Sequence, residues 1–257
     1  MPSRLLTLPI ISLQALWVLA RTPRLPPAQG SGGQIGSGPN VLRLTGLGDS
    51  IIAGTGVDCQ EQALTGQLAR RLHRQTGQAV HWEVHGENGA TSQSLLDHIL
   101  PSVGRSGIYL ISIGVNDSIR GTAPERFAEN LLALLATLHE RSPTARILLS
   151  GIPPLESFPS LPRPLGSLLG ERASRLRSAM NKVARSDPRR LYFDFPGAIA
   201  GNGFSRDGFH PGESACAEWA DWLLDLWLSA EPGLPSADRA GPSRPVSRQS
   251  AGRQNRS

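Results

Sequence analysis

The first residue able to do chemistry is Ser50, which ends the stretch Leu44-Thr45-Gly46-Leu47-Gly48-Asp49-Ser50. An apolar run broken by a glycine reads as a buried strand closing in a tight turn. Open α/β sheets keep their reactive groups at such carboxyl ends of strands. A serine hydroxyl there can act as a nucleophile, although Gly-Asp-Ser alone serves equally as a helix N-cap or plain turn. Three later blocks tip the balance: Gly86-Glu87-Asn88-Gly89-Ala90-Thr91, Gly114-Val115-Asn116-Asp117 and Asp207-Gly208-Phe209-His210-Pro211. Each follows an expected strand or opens the last helix.

A serine hydroxyl is a poor nucleophile at neutral pH and needs a base that titrates near the working pH. An unperturbed imidazole, at about 6.5, meets that need. His210 would take the Ser50 proton and return it to a leaving alcohol, with Asp207 holding the ring. Asp207 and His210 are three residues apart, a spacing that in a helical turn puts both side chains on one side. The tetrahedral intermediate needs fixed donors: the N–H of Ser50, the N–H of Gly89 where a side chain would block close approach, and the Asn116 amide. Asp49 reads as a turn-former. His73 and His139 fall in polar helical turns, and His81, His85 and His98 stand in no motif.

The elements that must position these groups alternate. Strands are expected over residues 41–48, 79–85, 107–113, 145–152 and 190–195, with helices over 60–76, 91–103, 124–141, 168–184 and 213–228. Residues 107–113 are apolar almost throughout, as a strand covered on both faces requires. Pro124 opens the helix with the clearest stripe, Leu131, Leu134, Leu135 and Leu138. About five alternations predict an α/β fold, a mainly parallel sheet with helices on both faces. The Pro-rich stretch 155–165 reads as a surface loop, with a lid over an acyl pocket as its functional alternative. The tryptophans of the last helix read as core.

Together the four blocks resemble the SGNH, or GDSL, hydrolase family, over residues 41–228 and closest to its bacterial arylesterase, thioesterase and lysophospholipase branch. The resemblance implies a flavodoxin-like three-layer sandwich and acyl-ester hydrolysis without metal or cofactor. It makes Ser50 the nucleophile, Asp207 and His210 its partners, and Asn116 an oxyanion donor. Gly89 is the better match for the donor glycine and Gly86 the competing one. The expected substrate is a small acyl ester or thioester. An O-acyltransferase would share the acyl-enzyme, and a non-catalytic binding module derived from an esterase would not need the intact Ser50, Asp207 and His210.

Charge divides the chain. The net charge of +5 comes from +3 in residues 1–40 and +3 in residues 231–257, leaving −1 for the body. That distribution argues against a nucleic-acid groove. Residues 1–22 hold a run without charge over 5–20, between the lengths of a signal core and a spanning helix, and read as a membrane-targeting segment. A place in the cell envelope, anchored or exported, is then favoured over the cytoplasm, with membrane association through this segment. Residues 23–40, rich in Pro and Gly, read as a flexible linker, 41–230 as the hydrolase domain and 231–257 as a disordered basic tail. A monomer is assumed. Cys59 and Cys216 allow one disulfide at most, with two free thiols the default. Gly46-Leu47-Gly48-Asp49-Ser50-Ile51 lacks the third glycine of a dinucleotide fingerprint, and no Gly-x-Ser-x-Gly elbow or Cys/His metal spacing is present.

Overall fold

A computed structural model of the 257-residue chain describes residues 3–196 and 203–230, with residues 3–8 described as helical backbone only. The expected tail, 231–257, lies outside the described residues. Six strands form one sheet: β1 (Gly32–Ile35), β2 (Val41–Gly48), β3 (Ala79–Gly86), β4 (Ile108–Ser112), β5 (Arg146–Ser150) and β6 (Arg190–Phe193). Their order is β1-β3-β2-β4-β5-β6, parallel except for β1, which runs antiparallel to β3. The chain leaves β2 to one side for β3 and returns across it to β4, so a crevice opens beyond the carboxyl end of β2.

The pleat explains the three layers. Successive side chains of a strand point to opposite faces. On β4, Tyr109 and Ile111 enter one core while Ile108 and Leu110 enter the other. The first core is roofed by α5 (Pro124–Arg141) and α6 (Leu165–Arg185), through Leu131, Leu135, Leu138, Leu176 and Met180. The second is roofed by α2 (Leu64–Thr76) and α7 (Glu213–Ala230), through Leu68, Leu72, Trp219, Leu223 and Trp227. Pro124 sits in the first turn of α5, and α2 stops at Gly77, whose φ of 68° is left-handed.

Two expectations need correction. The linker is partly structure: Ala28 is buried and Gly32–Ile35 pairs with β3. A Cβ on Gly32 would overlap the Trp82 carbonyl oxygen, so this glycine serves close approach and not flexibility. The helix expected over 91–103 is only α3 (Ser92–Ser94), followed by a π turn (Leu95–Ile99) and a 3-10 turn (Leu100–Ser102). Pro101 there has no N–H to continue a regular ladder. A short helix, α4 (Val115–Arg120), follows β4, bracketed by Gly114 at φ 122° and Gly121 at φ 74°. The segment 1–22, expected to target a membrane, forms α1 (Ser3–Arg21), of which Ile11, Ala15 and Val18 pack against the first core. Among the described residues no helix is long and apolar enough to cross a membrane. Both cysteines are free thiols, and burial pushes the Cys216 thiol up to about 12.

Candidate active site

Three strand ends lie side by side, because Gly48 pairs with Gly86 on one flank and with Ser112 on the other. The segments that follow, two turns and the start of α4, carry Ser50, Gly89 and Asn116, and the register of the sheet brings them to one place. The Ser50 turn is tied down at each step. Asp49 N–H donates to the Ser112 carbonyl at 3.1 Å, Asp49 Oδ1 accepts from Ile51 N–H at 3.1 Å, and Asp49 O accepts from Ala53 N–H at 2.9 Å. A Cβ on Gly48 would overlap the Ser112 carbonyl oxygen, so only glycine lets the turn close here.

The rear of the site is a loop ahead of α7. It is not the helical turn expected from the Asp207–His210 spacing but a hairpin: Phe204 bridges Pro211, and Ser205 N–H donates to His210 O at 2.8 Å. Gly208, at φ 64°, makes the reversal possible. Asp207 Oδ1 accepts from Ser205 Oγ, Phe209 N–H and His210 N–H, each at 2.9 Å. Its Oδ2 lies 2.6 Å from His210 Nδ1, and His210 Nε2 lies 2.9 Å from Ser50 Oγ. Serine, imidazole and carboxylate thus form one continuous chain, able to move a proton off the serine oxygen.

The sequence matches the GDSL-like lipase/acylhydrolase family over residues 47–217, two thirds of the chain and all the blocks described above. The chain belongs to that family. The GDSL-like chain is an ester-hydrolysing serine hydrolase. It is 27% identical over 190 residues to the esterase TesA of Pseudomonas aeruginosa, covering 73% of this chain and 87% of that one. The crystal structure of TesA superposes with a TM-score of 0.58 at 24% identity, covering 74% and 98% of the two chains. That of the esterase EstA from a Pseudoalteromonas species superposes with 0.55 at 23% identity, covering 73% and 98%.

In this GDSL-like enzyme the two glycines of the second block have different reasons to be glycine. A Cβ on Gly86 would overlap the Ala53 backbone nitrogen, so Gly86 lets β3 press on the Ser50 turn. Gly89 has open space around its Cβ position but a φ of 83°. Its conformation, and not crowding within the chain, is what calls for glycine. Neither the Gly89 nor the Ser50 N–H has a hydrogen-bond partner among the described residues. Asn116 Nδ2 donates one hydrogen to Ala90 O at 3.0 Å, which ties α4 to the Gly89 turn and leaves its other hydrogen available. Asp117 holds Ser92 by N–H at 2.9 Å and by Oγ at 2.7 Å, a structural role.

The two carboxyl groups here differ in ionisation. Burial raises Asp207, but the His210 ring and the N–H groups of His210 and Phe209 outweigh it and hold the carboxyl at about 2. Asp49 is pushed up to about 7, chiefly by burial, against the Ile51 N–H and with Asp117 adding to the rise. Its Oδ2 is buried without a hydrogen-bond partner among the described residues.

Sequence reasoning missed the wall of the site. A shallow cleft of about 370 Å³, counted with the solvent above it, is lined by Ser50, Val115, Pro153, Phe158, Phe209 and His210 among others. Phe158 stacks edge-on against Phe204 and Phe209, both at 5.0 Å between centroids. The Pro-rich stretch is therefore neither a plain surface loop nor a free lid: Leu155, Phe158 and Leu161 are buried and Phe158 is pocket wall. Gly56 was missed too. At φ 108°, with a would-be Cβ 2.7 Å from Pro211 O and 3.1 Å from His210 Cβ, it lets the front turn and the rear loop touch. His139 is buried 3.9 Å from the Asp187 carboxylate and, like His73, His81, His85 and His98, lies away from the cleft lining. Among the described residues no group of three or more His, Cys, Asp or Glu is placed to hold a metal.

Proposed function

We propose that this enzyme hydrolyses carboxylic or thio esters through an acyl-Ser50 intermediate. The observation that carries the reading is the 2.9 Å and 2.6 Å chain from Ser50 Oγ through His210 to Asp207. Ser50 Oγ attacks the ester carbonyl as its proton passes to His210 Nε2; the C–O bond forms and the carbonyl electron pair moves to oxygen. The N–H groups of Ser50 and Gly89 and the Asn116 amide receive that oxyanion. Collapse of the intermediate expels the alcohol, which takes the proton from His210. Water then repeats the sequence on the acyl-enzyme and frees Ser50.

Asp207 stays ionised throughout, fixing the ring with its proton on Nδ1 and stabilising the imidazolium. The phenyl-lined cleft beside Ser50 supports an apolar acyl or aryl group. The test is trapping: an aryl phosphonate, then digestion and mass spectrometry, should place a single adduct on Ser50 with matching loss of esterase activity. Full activity without modification of Ser50, or inactivation through another residue, would overturn the assignment.

A further inference from the structure

We propose that α1 is an interfacial anchor whose outer face lies in the surface of an anionic lipid bilayer while its inner face stays docked on the catalytic domain. The helix has two sides. Ile11, Gln14, Ala15, Val18 and Thr22 are half-covered, the spacing of a single helical stripe turned to the protein. Gln14 clamps that stripe: Nε2 donates to Arg163 O at 2.6 Å, and Oε1 accepts from Leu165 N–H at 3.0 Å.

The opposite side is where a water-facing helix would carry charge. Instead it presents Ile10, Leu13, Leu16, Trp17 and Leu19, exposed by 48 to 72%. A contiguous apolar strip of this kind marks a contact surface.

Charge selects the occupant. Residues 1–40 contain Arg4, Arg21 and Arg24 and no acid. The Arg21 guanidinium lies 5.2 Å from the Trp17 ring, a cation and an aromatic of the types that gather at headgroup depth. A second copy of the helix would set arginine against arginine, whereas an anionic leaflet complements them. No described helix can span a bilayer, so the helix lies in the plane of the surface. The segment gripped by Gln14 also sends Phe158 into the cleft, so the anchor and the acyl pocket share one loop. The proposal is independent of the acyl-enzyme reading.

The full chain, mixed with phosphatidylglycerol vesicles and sedimented, should pellet with them, and should do so far less with phosphatidylcholine. Leu13→Gln, Leu16→Gln and Leu19→Gln together keep helix-forming residues and should lower the bound fraction about tenfold or more. Hydrolysis of soluble p-nitrophenyl acetate by that variant should be unchanged, which reads folding and catalysis separately. Any of these would overturn the proposal: no binding to either vesicle, equal binding to both, undiminished binding by the triple variant, or a wild-type dimer that the variant converts to monomer. Resistance of the bound protein to alkaline extraction, or a mature protein whose mass lacks α1, would do the same.

Discussion

The front and the rear of the site are held by different means. Ser50 and Gly89 sit on turns and Asn116 at the start of α4, all positioned by the β3-β2-β4 ladder, so their geometry is as stable as the sheet. Asp207 and His210 sit on a hairpin held by its own hydrogen bonds and by edge-on contacts of Phe209 with Phe158. The front is a product of the whole fold and the rear of a short loop. A damaged front is therefore expected to cost stability as well as rate, and a damaged rear mainly rate.

Substitutions can break or sharpen that contrast. The largest effect is expected for Ser50→Ala, which should cut kcat for an aryl ester by about 10^5 or more while the fold still melts cooperatively. Asp207→Asn, on the rear loop, should lower kcat about 10^4-fold with little change in Tm, because most of its hydrogen bonds to Oδ1 survive. The wild-type rate should also fall in acid. With Asp207 held at about 2, its carboxylate stays ionised through ordinary assay conditions, so a fall that begins above pH 4 does not come from protonation of Asp207. Asn116→Ala, at the front, should lower kcat on the order of 10^2 to 10^3-fold and also cost stability, since the tie to Ala90 is lost. A Tm unchanged in Asn116→Ala would erase the distinction between the two halves.

The smallest effect on rate is expected at Asp49. Its carboxyl is raised to about 7 in the fold from an ordinary 3.8, so the folded state holds the proton more tightly. The stability this gives is complete below pH 3.8 and is lost as the pH rises to 7. Asp207, lowered to about 2, has the opposite sign: its contribution is present above 3.8 and lost as the pH falls toward 2. Asp49→Asn should flatten the decline between pH 4 and 7, on the order of 3 kcal/mol for the wild type, and change kcat less than tenfold. Urea melts at several pH values check this, and a variant with the same pH slope would refute it.

What could be read from the letters follows the same division. Strands β2, β4 and β5 were legible because the parts of a strand buried on both faces run apolar, as in Ile108–Ile111 and Ile147–Leu149, and the reactive segments lie directly beyond such strands. Gly-Asp-Ser and Asp-Gly-Phe-His-Pro are local arrangements, so their residues could be named without the fold. β1 was not legible, since Gly32-Gly33-Gln34-Ile35 has no alternation and is held by the backbone of β3. Phe158, Phe204 and Phe209 lie on two separate segments and become a wall only when the hairpin meets the Pro-rich stretch. The role of Gly56 depends on contact with Pro211, which no spacing rule reaches.

The four-residue β1 has a further consequence. Were it absent, all eight residues of β3 would stand along an open border of the sheet, with N–H and C=O groups free to recruit a strand from a neighbouring molecule. The stretch that composition marks as expendable is thus a guard against aggregation. An expression boundary drawn at Asn40 would strip that guard and yield insoluble protein, even though every residue named at the reaction centre would still be present.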